Sequence, residues 1–143
     1  MKRFLMLAFA AALSVGASAC QDTTSPGAVL SGTYSLRTIN NVAPPVILYA
    51  DATGTTEVLG GQIQINRDGT FIDVVTYRDT PPGGVPGAPY NDTIDGSWSL
   101  SGNTLQFNDA SNLSNVYYAT VSGNQLVFYN TASGSSYTTV YSK

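Results

Sequence analysis

Trp98-Ser99-Leu100-Ser101-Gly102-Asn103-Thr104-Leu105-Gln106-Phe107 is the stretch whose reading decides the fold. Gly102-Asn103 puts glycine at the first central position of a two-residue turn, where a type II′ hairpin needs positive φ. Residues facing each other across that turn have numbers that sum to 205, so Leu100 meets Leu105 and Trp98 meets Phe107. Ser99, Ser101, Thr104 and Gln106 then share the opposite face. Clean separation of an apolar from a polar face is what fixes register in an antiparallel pair. The pattern Ser-Gly-Asn-x-Leu-x-Phe returns at Ser122–Phe128. There Val121 meets Leu126 and Ala119 meets Phe128 on one face, while Thr120 meets Val127 and Tyr118 meets Tyr129 on the other. The spacing does not continue along the chain, so this is a recurring hairpin and not a solenoid repeat.

Outward from these hairpins, alternation and β-branched or aromatic enrichment dominate from Leu30 to the end, with turn signals every eight to twelve residues. Strands are expected near 32–39, 45–51, 56–66, 70–79, 93–101, 104–108, 115–121, 125–130 and 136–142. Pro44-Pro45 can only start the second strand or lie on an edge. A third hairpin at Asp68-Gly69 admits two registers. A two-residue turn pairs Ile65 with Ile72 and Ile63 with Val74, whereas a three-residue loop with a bulge at Gly69 pairs Ile65 with Phe71. Hairpins between sequence neighbours make a meander. An open meander leaves two edges, and Ser136–Ser142 carries no Lys or Pro to protect one. The expected fold is therefore all-β, an antiparallel up-and-down meander closing into a small barrel of eight to nine strands, with a β-sandwich as the alternative.

The first residues have a different character. Lys2-Arg3, the apolar run Phe4–Leu13 and the small residues Ser14–Ala19 form the three-part pattern of a secretory signal peptide over residues 1–19. The apolar run is shorter than the ~20 residues a membrane span needs. Ala17-Ser18-Ala19-Cys20 resembles a lipobox, in which small residues precede a cysteine that becomes the acylated first residue. Cys20 is the chain's single cysteine, so no internal disulfide is available to it. Lipidation at Cys20 would fix the mature N-terminus to a membrane. Gln21, where an Asp would resemble an inner-membrane retention signal, favours the outer membrane. Residues 20–29, with Ser25-Pro26-Gly27, have the composition of a tether. The expected organisation is a signal peptide (1–19), a lipidated tether (20–29) and one β-domain (30–143), exported and anchored to the cell envelope.

Charge and composition exclude several functions. The 143 residues contain no His, which removes the commonest general base and metal ligand. After residue 19 the chain keeps four basic residues (Arg37, Arg67, Arg78, Lys143) against nine acidic ones, a balance of −5. No basic footprint for nucleic acid is present. Asp92 and Asp95 lie at a strand start, and Asp68, Asp73, Asp79 and Asp109 are read as lying in or near turns, where Asp bonds its own backbone. No spacing sets two carboxylates across a cleft, as glycoside hydrolysis needs. The alternating loop of a Ca²⁺ site is missing too. Serines abound, yet none has a His or interior Lys to activate it. The expectation is a protein without catalytic residues, metal or cofactor.

Leu30-Ser31-Gly32-Thr33-Tyr34-Ser35-Leu36 resembles the opening strand of the lipocalin-like domains of bacterial lipoproteins. Ile39-Asn40-Asn41 with Pro44-Pro45, Asp68-Gly69-Thr70-Phe71, and Gly96–Leu105 resemble that group's later landmarks in the same order. The resemblance implies a calyx-like barrel, with Tyr34 in place of the usual Trp at its floor. Such a fold hosts many functions, so it speaks to architecture more than to activity.

The expected inward face comprises Tyr34, Leu36, Ile63, Ile65, Trp98, Leu100, Leu105, Phe107, Leu126 and Phe128. So many large residues favour a mostly filled interior, and any pocket should be small and apolar with a few tyrosine hydroxyls. Tyr34, Trp98, Phe107 and Phe128 are the candidate ligand contacts inside it. The irregular segment Asp79–Asp92 holds four prolines and three glycines. Long loops of this kind serve as lids or recognition surfaces, and Val85 and Tyr90 are the candidate contacts there. Two functions follow: an envelope protein binding a small apolar or amphipathic molecule, or a non-enzymatic module contacting an envelope protein partner through this loop and surface tyrosines such as Tyr118 and Tyr129.

Overall fold

The structure is a computed structural model that describes residues 25–132 and 135–143, so the segment expected as a signal peptide (1–19) and Cys20 lie outside it. Nine strands follow one another: β1 (Gly32–Ile39), β2 (Val46–Asp51), β3 (Gly54–Ile65), β4 (Thr70–Thr80), β5 (Tyr90–Ser101), β6 (Thr104–Asp109), β7 (Val116–Ser122), β8 (Gln125–Ala132) and β9 (Ser135–Ser142). Each pairs antiparallel with its sequence neighbour from β2 to β9, and β1 pairs with β9. The first half of β1 also pairs with the end of β3, Gly32 facing Ile65 and Tyr34 facing Ile63. That second pairing closes eight strands into a barrel and excludes the sandwich. β2 lies outside the closure, on the first half of β3, and begins directly after Pro44-Pro45 as an edge strand should.

Both glycine–asparagine hairpins have the expected register, Trp98 facing Phe107 and Leu100 facing Leu105 in one, Ala119 facing Phe128 and Val121 facing Leu126 in the other. Gly102 and Gly123 take φ of 61° and 58°, the positive values that the first position of such a turn demands. At Asp68-Gly69 the bulged register prevails: Ile65 faces Phe71. The Asn66 amide donates to the Thr70 carbonyl at 2.9 Å and Gly69 takes φ 87°, which a side chain would strain. The Asp68 carboxylate accepts from the Thr70 amide and hydroxyl at 3.0 and 2.6 Å, holding the loop shut.

Strand direction gives the barrel two different ends. The tight turns after β3, β5 and β7 gather at one end, together with the start of β1 and the end of β9. Here Tyr34, Ile63, Ile65, Phe71, Leu105, Phe107 and Leu126 are fully buried and fill the lumen. Each such burial contributes about 1.5–3 kcal/mol. Part of the segment expected as tether is structured here: Pro26–Leu30 forms a single helical turn, α1. Ser25 caps it and Pro26 occupies its first turn, a start signal present in the sequence. Leu30 is buried with the core, the Tyr34 hydroxyl donates to the Leu30 carbonyl at 2.9 Å, and Lys143 Nζ donates to the Val29 carbonyl at 2.9 Å. The long loops after β4 and β6 lie at the other end, which is the mouth.

Candidate functional site

The bulge at Gly69 determines what lines the upper lumen. With Phe71 opposite Ile65, the odd-numbered residues of β4 point inward, so Asp73 faces Ile63 and is followed inside by Val75 and Tyr77. Asp73 is therefore not a turn residue, as the sequence suggested, but a lumen residue. The next strand pairs Ile94 with Asp73 and Asp92 with Val75, bringing a second carboxylate to the same wall nearer the mouth.

Above the filled floor these side chains surround a cavity of about 260 Å³. Leu36 and Ile39 of β1, Leu48 of β2 and Val58 of β3 supply its aliphatic side. Tyr117 of β7, Phe128 of β8 and Tyr137 and Tyr141 of β9 supply its aromatic side, with Asn115, Asn130 and Thr139 as neutral polar groups. The interior is thus filled in its lower half and hollow in its upper half. The pocket is small, as expected, but two carboxyls join the tyrosine hydroxyls.

An aromatic stack separates cavity from floor. Phe107 lies parallel to Tyr117 with centroids 5.2 Å apart, meets Phe71 edge-on at 4.9 Å, and contacts Phe128 at 5.7 Å. Phe128 in turn meets Tyr141 edge-on at 5.6 Å. These contacts hold the rings that line the cavity in place.

The electrostatics follow from burial. Asp73 Oδ1 and the Tyr117 hydroxyl are both buried without a hydrogen-bond partner. Burial pushes the Asp73 carboxyl up to about 7, and the Asp92 carboxylate adds to the rise. Burial raises Tyr77 to about 12, with the two carboxylates adding to the effect. Tyr117 and Tyr141 are raised further, again by burial first and then by the Asp73 charge. At the mouth, Asp109 organises the loop between β6 and β7. Its carboxylate accepts from the Ser111 hydroxyl and amide, from Asn112 and from the Asn115 side chain, which holds it at about 2.

The sequence profile of the lipocalin-like domain matches residues 30–128, more than half of the chain, from the start of β1 into β8. The protein belongs to the lipocalin-like domain family. No curated protein and no solved structure matches the chain.

Within this lipocalin-like calyx, the residues singled out in the sequence fall in three places. Phe128 lines the cavity. Tyr34 and Phe107 lie in the floor, Tyr34 spending its hydroxyl on Leu30. Trp98 packs half-buried against the core and donates from Nε1 to the Asn66 carbonyl at 3.0 Å, which ties β5 to the bulged turn. Val85 stands 82% exposed on the proline-rich loop. Tyr90 stacks on Tyr77 at 5.8 Å and donates to Asp79 at 3.1 Å, at the rim. Tyr118 and Tyr129 are exposed on the outer wall. Cys20 lies outside the described residues. Sequence reasoning missed Asp73, Asp92, Tyr117, Tyr137 and Tyr141. Phe71-x-Asp73-x-Val75-x-Tyr77 could have revealed the first, had the bulged register been chosen.

Among the described residues no group of three or more His, Cys, Asp or Glu could hold a metal ion. The lining contains no Ser, Cys, Lys or His. What the arrangement offers is an apolar and aromatic hollow with unpaired hydrogen-bonding atoms inside, the composition of a binding site.

Proposed function

We propose that this lipocalin-like protein is exported, attached to the cell envelope through acyl chains on Cys20, and binds a small amphipathic molecule in its calyx without catalysing a reaction. One observation carries the binding: a 260 Å³ lumen cavity in which Asp73 Oδ1 and the Tyr117 hydroxyl are buried with no protein partner. Leaving such atoms unpaired costs about 1–3 kcal/mol each, a cost a bound polar group would relieve. The cavity lies just below the ~300–1,000 Å³ range of sites for drug-sized ligands. It suits a compact molecule better than a long acyl chain. The charged start, apolar run and Ala17-Ser18-Ala19-Cys20 support the export and the anchor.

Saturation-transfer NMR with a panel of compact amphipathic fragments tests the binding. Signals that vanish when Val75→Phe narrows the cavity support it, and a panel with no binder rejects it. Mass spectrometry of the mature N-terminus tests the anchor, since Cys20 must carry acyl mass. The exposed proline-rich loop favours a second reading, contact with an envelope protein. Deleting residues 81–88 distinguishes the two: lost partner capture with unchanged fragment binding supports the loop.

A further inference from the structure

We propose that the calyx selects small organic cations, protonated primary or secondary amines on a compact apolar body, by seating the ammonium N–H groups against Asp73 Oδ1. This rests on the ligand-binding reading and names the class of ligand.

Charge is the first argument. Asp73 and Asp92 both line the cavity, and no lining residue is cationic. The chain's four basic residues after Cys20 are all committed elsewhere. Arg37 donates to Ser142 at 2.7 Å, Arg78 pairs with Glu57 at 2.6 Å, Arg67 reaches Ser31 at the closed end, and Lys143 lies there over the Tyr34 ring. A positive counterpart for the lumen carboxyls must therefore arrive with the ligand.

The orphaned acceptor is the second argument. Asp73 Oδ1 is buried and unpartnered, so it rewards a donor. A quaternary ammonium has no N–H to offer and a carboxylate ligand would add like charge. Aromatic walls are the third. Tyr77, Tyr117, Tyr137, Tyr141 and Phe128 border the space, and ring faces attract an organic cation that has shed its water. Among the described residues no group of three or more His, Cys, Asp or Glu is placed to hold a metal ion, so the organic cation is the better match.

The groups facing Asp73 set the pH behaviour. They are Asp92 from β5, Tyr117 from β7 with Asp109 behind it, Tyr137 and Tyr141 from β9, and Tyr77 on its own strand. None becomes cationic, so in the free protein Asp73 takes up a proton below about 7. An ammonium ligand needs the carboxylate form. Amine affinity is thus expected to climb from pH 5 to pH 8 and to fall only when the amine itself deprotonates near ~10.

Isothermal titration calorimetry on residues 20–143 with 2-phenylethylamine, 2-phenylethanol and phenylacetate tests the proposal. At pH 8 the amine should bind at least about tenfold tighter than the alcohol, with that advantage shrinking at pH 5. Asp73→Asn should remove it, bringing the amine's affinity at pH 8 to within about threefold of the alcohol's for the same variant. Alcohol or phenylacetate binding as tightly as the amine overturns the cation assignment and leaves the binding reading standing. If none of the three binds, both fall. Should Asp73→Asn fail to fold, the wild-type ranking and its pH profile still decide.

Discussion

Ile63 and Asp73 face each other across the β3–β4 ladder, an aliphatic side chain and a carboxyl on the same inner wall of the barrel. Two residues earlier, Phe71 occupies the equivalent inward position and is buried in the floor. The carboxyl thus stands one step above a packed aromatic core, where water is scarce and its charge is costly.

That placement predicts an inverted pH dependence of stability. The Asp73 carboxyl titrates near 7 in the folded protein and near ~3.9 when unfolded, so the fold binds this proton more tightly than the unfolded chain does. Its contribution costs nothing below the unfolded value, grows as pH rises between the two, and reaches its full penalty above about 7. The ceiling on that penalty is roughly 4 kcal/mol. Urea unfolding of ligand-free protein should show Asp73→Asn matching the parent near pH 4 and exceeding it by about 2–4 kcal/mol at pH 8. Parallel pH curves for the two proteins would contradict a buried, unpaired carboxyl.

Gly96 predicts a steric effect. A Cβ there would run into the Asn108 carbonyl oxygen and lie 3.0 Å from the Ala110 amide nitrogen, both backbone atoms that cannot rotate away. Gly96→Ala should cost about 2–3 kcal/mol, a fall in Tm of the order of 10 °C for a domain of this size. Gly60 supplies the control, because a Cβ there meets nothing within 4 Å. Gly60→Ala should be neutral or stabilising by about 0.5 kcal/mol. Equal effects at both positions would refute the close approach of β5 to β6.

Tyr34→Phe predicts a local effect at the closed end. It keeps the ring under Lys143 but leaves the Leu30 carbonyl without its buried donor. A loss of about 1 kcal/mol is expected. Hydrogen exchange should speed up at the amides of Ala28 and Ser31, which bond within α1 and its cap, and stay slow on β6. Unchanged exchange at Ala28 and Ser31 would show that the hydroxyl does not hold the helical turn.

The architecture was legible because the two glycine–asparagine hairpins sort their faces unambiguously, Leu100, Leu105, Leu126 and Phe128 inward and Ser99, Thr104 and Thr120 outward. The site was less legible, for a physical reason confined to β4. Ile72 and Val74 are as apolar as Phe71 and Val75, so alternation alone does not choose a face there. Choosing the face takes the positive φ of Gly69, which no residue pattern states directly. The consequence was large: in one register Asp73 is solvated, in the other it lies inside. Tyr117, Tyr137 and Tyr141 escaped notice because a tyrosine suits either side of a barrel wall, and closure onto β1 decides which. The start signal at Ser25-Pro26 was present but followed by only one turn, too short for helical periodicity to register.

The helical turn at Pro26–Leu30 sits at the pole opposite the aperture. Any leash on the N-terminus therefore pulls from beneath the cup and leaves the opening aimed away from whatever the leash is fastened to. A guest arriving from the surrounding fluid would meet no obstruction from an attachment placed there. An attachment made at Lys143 instead would give the same posture, since first and last elements meet at the same base.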